Sequence, residues 1–240
     1  MHFDTYKCSF NDFRGIYSCV PWAINSVGKG FIMLKNLEKI LNEKAPLILE
    51  ALQGGADHSE IEKLESLIGS DLPNDFKLLY RSRNGFEKGK FANLFYGFPF
   101  MRLDSIISAQ EKVIAGNHSE PLRYADDGIK GSYTFGLRRI PIGDDSGSSL
   151  LCVDLDPSDS GRYGQVIFVD YDMEVALRLH SSVEELVQAF ETDLGGDRYS
   201  LQEDALEDGV HWLQPISEID PINWFRSPRW KYVKTALKNS

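Results

Sequence analysis

The chain has 240 residues, enough for one large domain or one domain with appendages, and a chain of this length can bury roughly 70–75% of its unfolded surface without staples. Its 42% hydrophobic and 26% charged content suit a globular protein, and no apolar run approaches the ~18 residues of a membrane span. The charge of −10 is uneven: residues 59–220 carry 15 basic and 30 acidic groups, residues 221–240 five basic and none acidic, so the acidic body repels nucleic-acid backbone and attracts basic partners.

Elements follow in chain order. Leu34, Leu37, Ile40 and Leu41 recur at helical spacing, and Pro46 interrupts them. Leu47, Ile48 and Leu52 resume the pattern up to Gly54-Gly55, which reads as one kinked helix or two short ones. Ser59 with Glu62 is a capping-box pattern opening a helix whose face is Ile61, Leu64, Leu67 and Ile68 and whose stop is Gly69. Leu72-Pro73 opens the next helix, with Phe76, Leu79 and Tyr80 facing inward and Asn84-Gly85 ending it. Leu94 to Phe98 is strand-like. Asp104 is placed to cap a helix through Ile106, Ile107 and Val113 that stops at Gly116, and 117–132 reads as loop. Tyr133–Leu137 and Arg139–Ile142 are candidate short strands.

The segment 150–172 reads as two strands, 150–155 and 165–171, around the turn-rich loop DPSDSGRYG. That loop is too long for a two-residue hairpin, so it needs support of its own. Val175, Leu177 and Leu179 alternate with polar neighbours as a half-buried strand. Ser182 with Glu185 offers a second capping box, and Val183, Leu186, Val187, Phe190 and Leu194 form one helical face up to Gly195-Gly196. Pro221 and Pro228 are placed to start short helices in an aromatic tail with Trp212, Trp224, Phe225, Trp230 and Tyr232. Helices on both sides of a run of strands predict an α+β fold, a twisted and largely antiparallel sheet flanked by helices. The division expected is an N-terminal extension at 1–30, a domain at 31–196 and a C-terminal extension at 197–240 that docks on it. The buried positions expected are Phe76, Leu79, Tyr80, Leu151, Val153, Ile167 and Val169.

Few residues suggest chemistry. Cys8, Cys19 and Cys152 lack metal spacing and read as free thiols of a reducing cytoplasm. The first thirty residues have no basic head before an apolar block, so no signal peptide is expected. Gly143-Asp144-Asp145-Ser146-Gly147 superficially resembles a nucleophile loop, but no histidine stands in a catalytic context. Asp154, Asp156, Asp159 and Gly161 hint at a calcium loop, yet Pro157 holds the fourth position and Gln165 the twelfth. The expectation is a protein that is not an enzyme, with no cofactor and no metal. What stands out is electrostatic: Asp144, Asp145, Asp154, Asp156, Asp159, Asp170, Asp172 and Glu174 share one stretch with a single cation, Arg162. Gathered at one rim of a sheet, the seven aspartates are the candidate residues for steering a basic partner.

An ordered series of pieces resembles a known family. The first is Ile61-Glu62-Lys63-Leu64-Glu65, then Leu72-Pro73-Asn74-Asp75-Phe76, then Leu79-Tyr80 and Asn84-Gly85. The second is Ile140-Pro141-Ile142-Gly143-Asp144-Asp145, Gly147, Asp154-Leu155-Asp156-Pro157, Gly161, Gly164-Gln165-Val166-Ile167 and Asp170. Together they resemble the Smi/Knr-type group, the SUKH superfamily, over roughly residues 59 to 195. Many relatives carry Trp just before the Ile-Pro-Ile segment, where this chain has Arg138-Arg139. The resemblance implies an α+β fold and a cytoplasmic, non-catalytic protein. Bacterial members are immunity proteins that neutralise polymorphic toxins, often nucleases; the alternative is a regulatory scaffold of the fungal cell-wall type. With the acidic charge and the absence of a long apolar run, the partner expected is a basic protein, a toxin domain, and neither nucleic acid nor membrane.

Overall fold

The computed structural model describes residues 34–115 and 120–239. The 1–30 extension with Cys8 and Cys19, the helix stop at Gly116 and loop residues 117–119 lie outside them. Helix α1 covers residues 34–44, and α2 (Pro46–Ala51) begins at the proline that interrupts the periodicity. Then follow β1 (Leu52–Gly54), α3 (His58–Ile68), α4 (Asn74–Ser82), β2 (Arg83–Phe86), a 3₁₀ turn at Phe95–Gly97 and α5 (Leu103–Ala115). A sheet is built from β3 (Tyr124–Ala125), β4 (Arg139–Asp144), β5 (Ser149–Asp154), β6 (Gln165–Asp170) and β7 (Val175–His180). The chain continues through α6 (Val183–Gly195), β8 (Tyr199–Leu201), α7 (Glu203–Glu207), β9 (Leu213–Pro215) and α8 (Lys231–Asn239).

The sheet order is β3-β7-β6-β5-β4, antiparallel except for the short parallel pair β3–β7. The fold is α+β. Alternation along the strands divides the buried residues between two faces. Leu151, Val153, Phe168, Val175 and Leu177 join the large core under the helices, while Leu150, Cys152, Ile167, Val169 and Ala176 form a second cluster with Ile129. All seven expected core positions are buried, none more than 1% exposed. The outer edge at β4 is partly closed by Met101 N–H on Ile142 C=O at 2.9 Å, and Pro141 has no N–H to offer.

Both halves of the recurrent motif are explained by close approaches. Gly85 has φ +70°, and a Cβ there would lie 2.6 Å from the Arg102 nitrogen. Asn84 Oδ1 accepts the Leu103 N–H at 2.9 Å, capping the start of α5. Gly164 has φ +85°, and a Cβ there would sit 2.7 Å from Pro73. The Leu-Pro and Gly-Gln-Val-Ile pieces are therefore neighbours in space.

Several local expectations are corrected. The capping box of α3 is Asp57 with Glu60 rather than Ser59 with Glu62: Asp57 Oδ1 accepts Glu60 N–H at 2.9 Å and Glu60 accepts Asp57 N–H at 3.0 Å. A charged acceptor at the first turn outcompetes a hydroxyl, and Ser59 Oγ donates to Asp57 instead. Ser182 caps α6 by accepting Glu185 N–H. The Glu185 carboxylate takes Ser181 rather than returning to Ser182. Helix α4 ends at Ser82, and Asn84-Gly85 belongs to β2. Residue Asp104 lies inside α5 rather than at its cap, bonded to Arg102. Residues 94–98 are no strand: Leu94 N–H bonds Phe98 C=O at 2.8 Å, and Tyr96 is left-handed at φ 57°. The Tyr96 hydroxyl meets His180 Nε2 at 2.5 Å, which fixes the ring inward. Residues 133–137 are irregular because the Tyr133 and Thr134 carbonyls accept the Arg139 guanidinium, not a neighbouring strand.

Beyond α6 the chain returns to the domain. Trp224, Trp230 and Val233 lie in the large core. Asn93 bonds Leu213 on both its N–H and its C=O, at 2.8 and 2.7 Å, which ties β9 to the 3₁₀ turn. Among the described residues no helix is long and apolar enough to cross a membrane.

Candidate functional site

The antiparallel register separates the acidic stretch into two groups. The β4–β5 and β6–β7 turns emerge at the end of the sheet where Asp144 faces Leu150 and Ser149 faces Asp170. The β5–β6 loop emerges at the other end, where Asp154 pairs with Arg139 and Gln165. Six-residue strands put the two ends roughly 17 Å apart. The expected gathering of seven aspartates at one rim is corrected: Asp144, Asp145, Asp170 and Asp172 share one end, and Asp154, Asp156 and Asp159 the other.

At the second end the carboxylates serve the fold. Asp154 is 0% exposed, so it is unavailable to a partner. Its two oxygens accept the Asp156 N–H at 3.1 Å and the Gln165 side-chain amide at 2.8 Å. Burial raises its pKa above the usual carboxylate value, against the lowering effect of those bonds and of Arg139. Gln165 also donates to Gly128 C=O at 2.8 Å. These bonds are the support the long loop requires. Asp156 pairs with Lys130 and accepts Tyr133 Oη at 3.1 Å. Burial raises its pKa, but these donors outweigh burial and leave it low. Asp159 is exposed.

Arg139 organises this end, and reading the sequence gave no sign of it. Its side chain is fully buried. It donates to the carbonyls of Tyr133, Thr134 (2.7 Å) and Lys130 (2.6 Å), and its guanidinium lies 4.2 Å from the Tyr133 ring centre. The signal available was positional: an arginine directly before the apolar Ile140 of a strand.

At the first end the carboxylates brace turns with one oxygen and leave the other to solvent. Asp144 Oδ1 accepts Ser146 N–H at 2.7 Å. Asp145 Oδ1 accepts Gly147 and Ser149 N–H at 2.8 and 2.9 Å. Such Asx turns stabilise the left-handed backbone at Ser146, φ 58°. The two turns are joined: Tyr171 N–H bonds Ser148 C=O at 2.9 Å, and the Tyr171 hydroxyl donates to Gly147 C=O. Asp170 is a correction, since it is 6% exposed and works inward. Its Oδ1 accepts Met173 N–H at 2.9 Å, and its Oδ2 accepts Trp224 Nε1–H at 3.0 Å. It fixes the β6–β7 turn and docks the C-terminal segment in one stroke.

The surface that results carries Asp144, Asp145, Asp172 and Glu174 around Tyr171 and Met173, which are 40% and 44% exposed. Among the described residues no cation pairs with these four carboxylates. Their field is felt locally: burial raises the Tyr171 phenol, and Asp144, Asp145, Asp172 and Asp170 raise it further. Two exposed apolar side chains thus stand on the same turn as Asp172 and Glu174, and that turn is cross-bonded to the one that carries Asp144 and Asp145. The sequence expectation omitted Glu174, Tyr171 and Met173 from the candidate residues. Among the described residues no cluster of His, Cys, Asp and Glu is arranged to hold a metal ion.

A family model described as SMI1 / KNR4 family (SUKH-1) matches residues 55–195, the span from just before α3 to the end of α6. No curated protein matches the chain.

Proposed function

The chain belongs to the SMI1 / KNR4 family (SUKH-1), and from that membership we propose that it is a cytoplasmic immunity protein that binds one basic toxin domain and occludes its active site without catalysis. The observation that carries this reading is the braced acidic rim with Tyr171 and Met173 exposed on one of its turns. A nuclease must attract phosphates, so its cleft is basic, and an acidic inhibitor is its natural complement. Acidity alone speeds encounter; the exposed Tyr and Met supply apolar area that holds the complex once formed. Braced turns reduce the ordering cost of binding.

The test uses purified nuclease toxin domains encoded beside the gene. The expected result is a one-to-one complex whose association rate falls as salt rises, because screening acts within about 8 Å at physiological ionic strength. Reversing Asp172 and Glu174, which brace no turn, to Lys slows association about tenfold while circular dichroism is unchanged. An unchanged association rate in that folded variant removes the rim from the interface.

A further inference from the structure

A groove of about 1490 Å³ runs from the acidic rim along the sheet face that α5 does not fill. Its apolar lining includes Ala109 on α5, Leu137, Pro141 on β4, Leu150 on β5 and Tyr171. Two further residues, Asp144 and Glu174, belong to both the groove and the rim, so the two surfaces are one continuous face. Arg102 and Asp104 in its lining hold each other in two bonds at 3.0 and 2.7 Å, which leaves Lys88 and Lys112 against Glu120, Asp144 and Glu174.

Among the described residues, other parts of the sheet are covered. Helices cover one face. At the opposite edge α8 lies against β3, with Tyr232 Oη bonded to Asp126 at 3.1 Å. The β6–β7 turn is held from behind by Trp224. An approaching basic protein therefore meets the rim with the groove beside it.

We infer that the groove receives a bulky apolar side chain, aromatic for preference, from the same basic segment that the rim attracts. The inference rests on the reading of the rim as the partner-binding face and names what that partner presents: lysine or arginine flanking a large apolar residue. The physical ground is a division of labour. Charges at a solvent-exposed rim raise the encounter rate and contribute little to lifetime. Lifetime comes from an apolar anchor desolvated in a pocket and ringed by polar groups. The rim supplies the ring, and the groove is the apolar recess contiguous with it.

The experiment titrates the isotope-labelled full chain with two peptides, acetyl-Lys-Lys-Trp-Lys-Lys-amide and acetyl-Lys-Lys-Ala-Lys-Lys-amide, and follows amide resonances. Both peptides are expected to shift Asp145, Gly147 and Asp172. Only the Trp peptide shifts Ala109 and Leu137, and it binds at least fivefold more tightly. Ser108→Trp, on the exposed face of α5 that lines the groove, fills the recess and abolishes that preference while the Ala peptide binds as before. Equal affinities with shifts confined to the rim overturn the groove inference and leave the rim standing. No shift at the rim with either peptide overturns the reading of the rim itself. The comparison of the two peptides on the unsubstituted chain decides the matter even if the variant is poorly folded.

Discussion

The two ends of the central sheet start from the same material and reach opposite outcomes. Around Asp154 that carboxylate, one arginine and one glutamine are turned inward and hold a long loop to the strands. Around Asp144 the carboxylates brace two short turns and still face solvent without cations. What separates them is loop length. A ten-residue loop between β5 and β6 needs internal partners, and Asp154, Gln165 and Arg139 serve as them. The shorter turns at the other end are satisfied by Asx bonds that use one oxygen each. A run of acidic residues in a sequence is thus not a surface; only the carboxylates left over after the backbone is satisfied are.

The largest effect that sharpens this contrast is at the closed end. Arg139→Met retains length and apolar bulk, but it strands the carbonyls of Lys130, Tyr133 and Thr134 and leaves buried Asp154 beside no cation. Removing one partner of a buried charged network costs about 3–5 kcal/mol. Urea unfolding is expected to show a midpoint shift of that size. A change below about 1 kcal/mol would make Arg139 a bystander and erase the distinction between the ends.

Next in size is Asp170→Ala, which lies at the open end yet behaves as a core residue. It leaves the buried indole N–H of Trp224 and the Met173 N–H without their acceptor, and stranded donors cost about 1–3 kcal/mol each. Thermal unfolding is expected to fall accordingly. Trp224 fluorescence shifts to longer wavelength before global unfolding, because this bond attaches the C-terminal segment to β6. Loss of stability with no early fluorescence change would mean that the segment is held by Trp230 and Val233 alone.

Much of the architecture was legible in the sequence because it rests on periodicity. Strands β5 and β6 follow from apolar runs around a turn-rich loop, β7 from alternation, the stop of α3 from glycine at a left-handed position and the inward face of α6 from helical spacing. Legibility ended where side chains choose partners far along the chain. Tyr96 folds back to a hydrogen bond between its hydroxyl and His180 Nε2, 84 residues on. Residues 133–137 forgo strand pairing because Arg139 takes two of their carbonyls. The acidic rim was half legible for the same reason. Asp144, Asp145 and Asp172 were read from charge density, but register decides which end a residue occupies. Burial then removes Asp154 and Asp170 from any partner's reach, and neither register nor burial is written in local composition.

The smallest expected effect in stability is the most direct measure of the open end. Asp172→Asn touches no hydrogen bond of the fold, and a surface change of this kind stays within about 0.5 kcal/mol. Its consequence is electrical. In the folded chain the Tyr171 phenol is raised above its ordinary value of 10.0, first by burial and then by Asp144, Asp145, Asp172 and Asp170. A raised phenol pKa means that the folded state prefers the protonated ring. That preference stabilises the protein fully below pH 10 and is lost as pH rises through the folded value. Removing the Asp172 charge leaves burial in place and lowers the Tyr171 pKa toward 10.0 without restoring it. Following the Tyr171 ring carbons by NMR from pH 9 to 12 is the measurement, with Asp159→Asn, an exposed carboxylate of the closed end, as the paired variant. A downward shift for Asp172→Asn and none for Asp159→Asn places an uncompensated field at one end only. Equal shifts would mean that the chain's overall negative charge, and not a localised rim, acts on Tyr171, and the contrast between the two ends would then be one of packing alone.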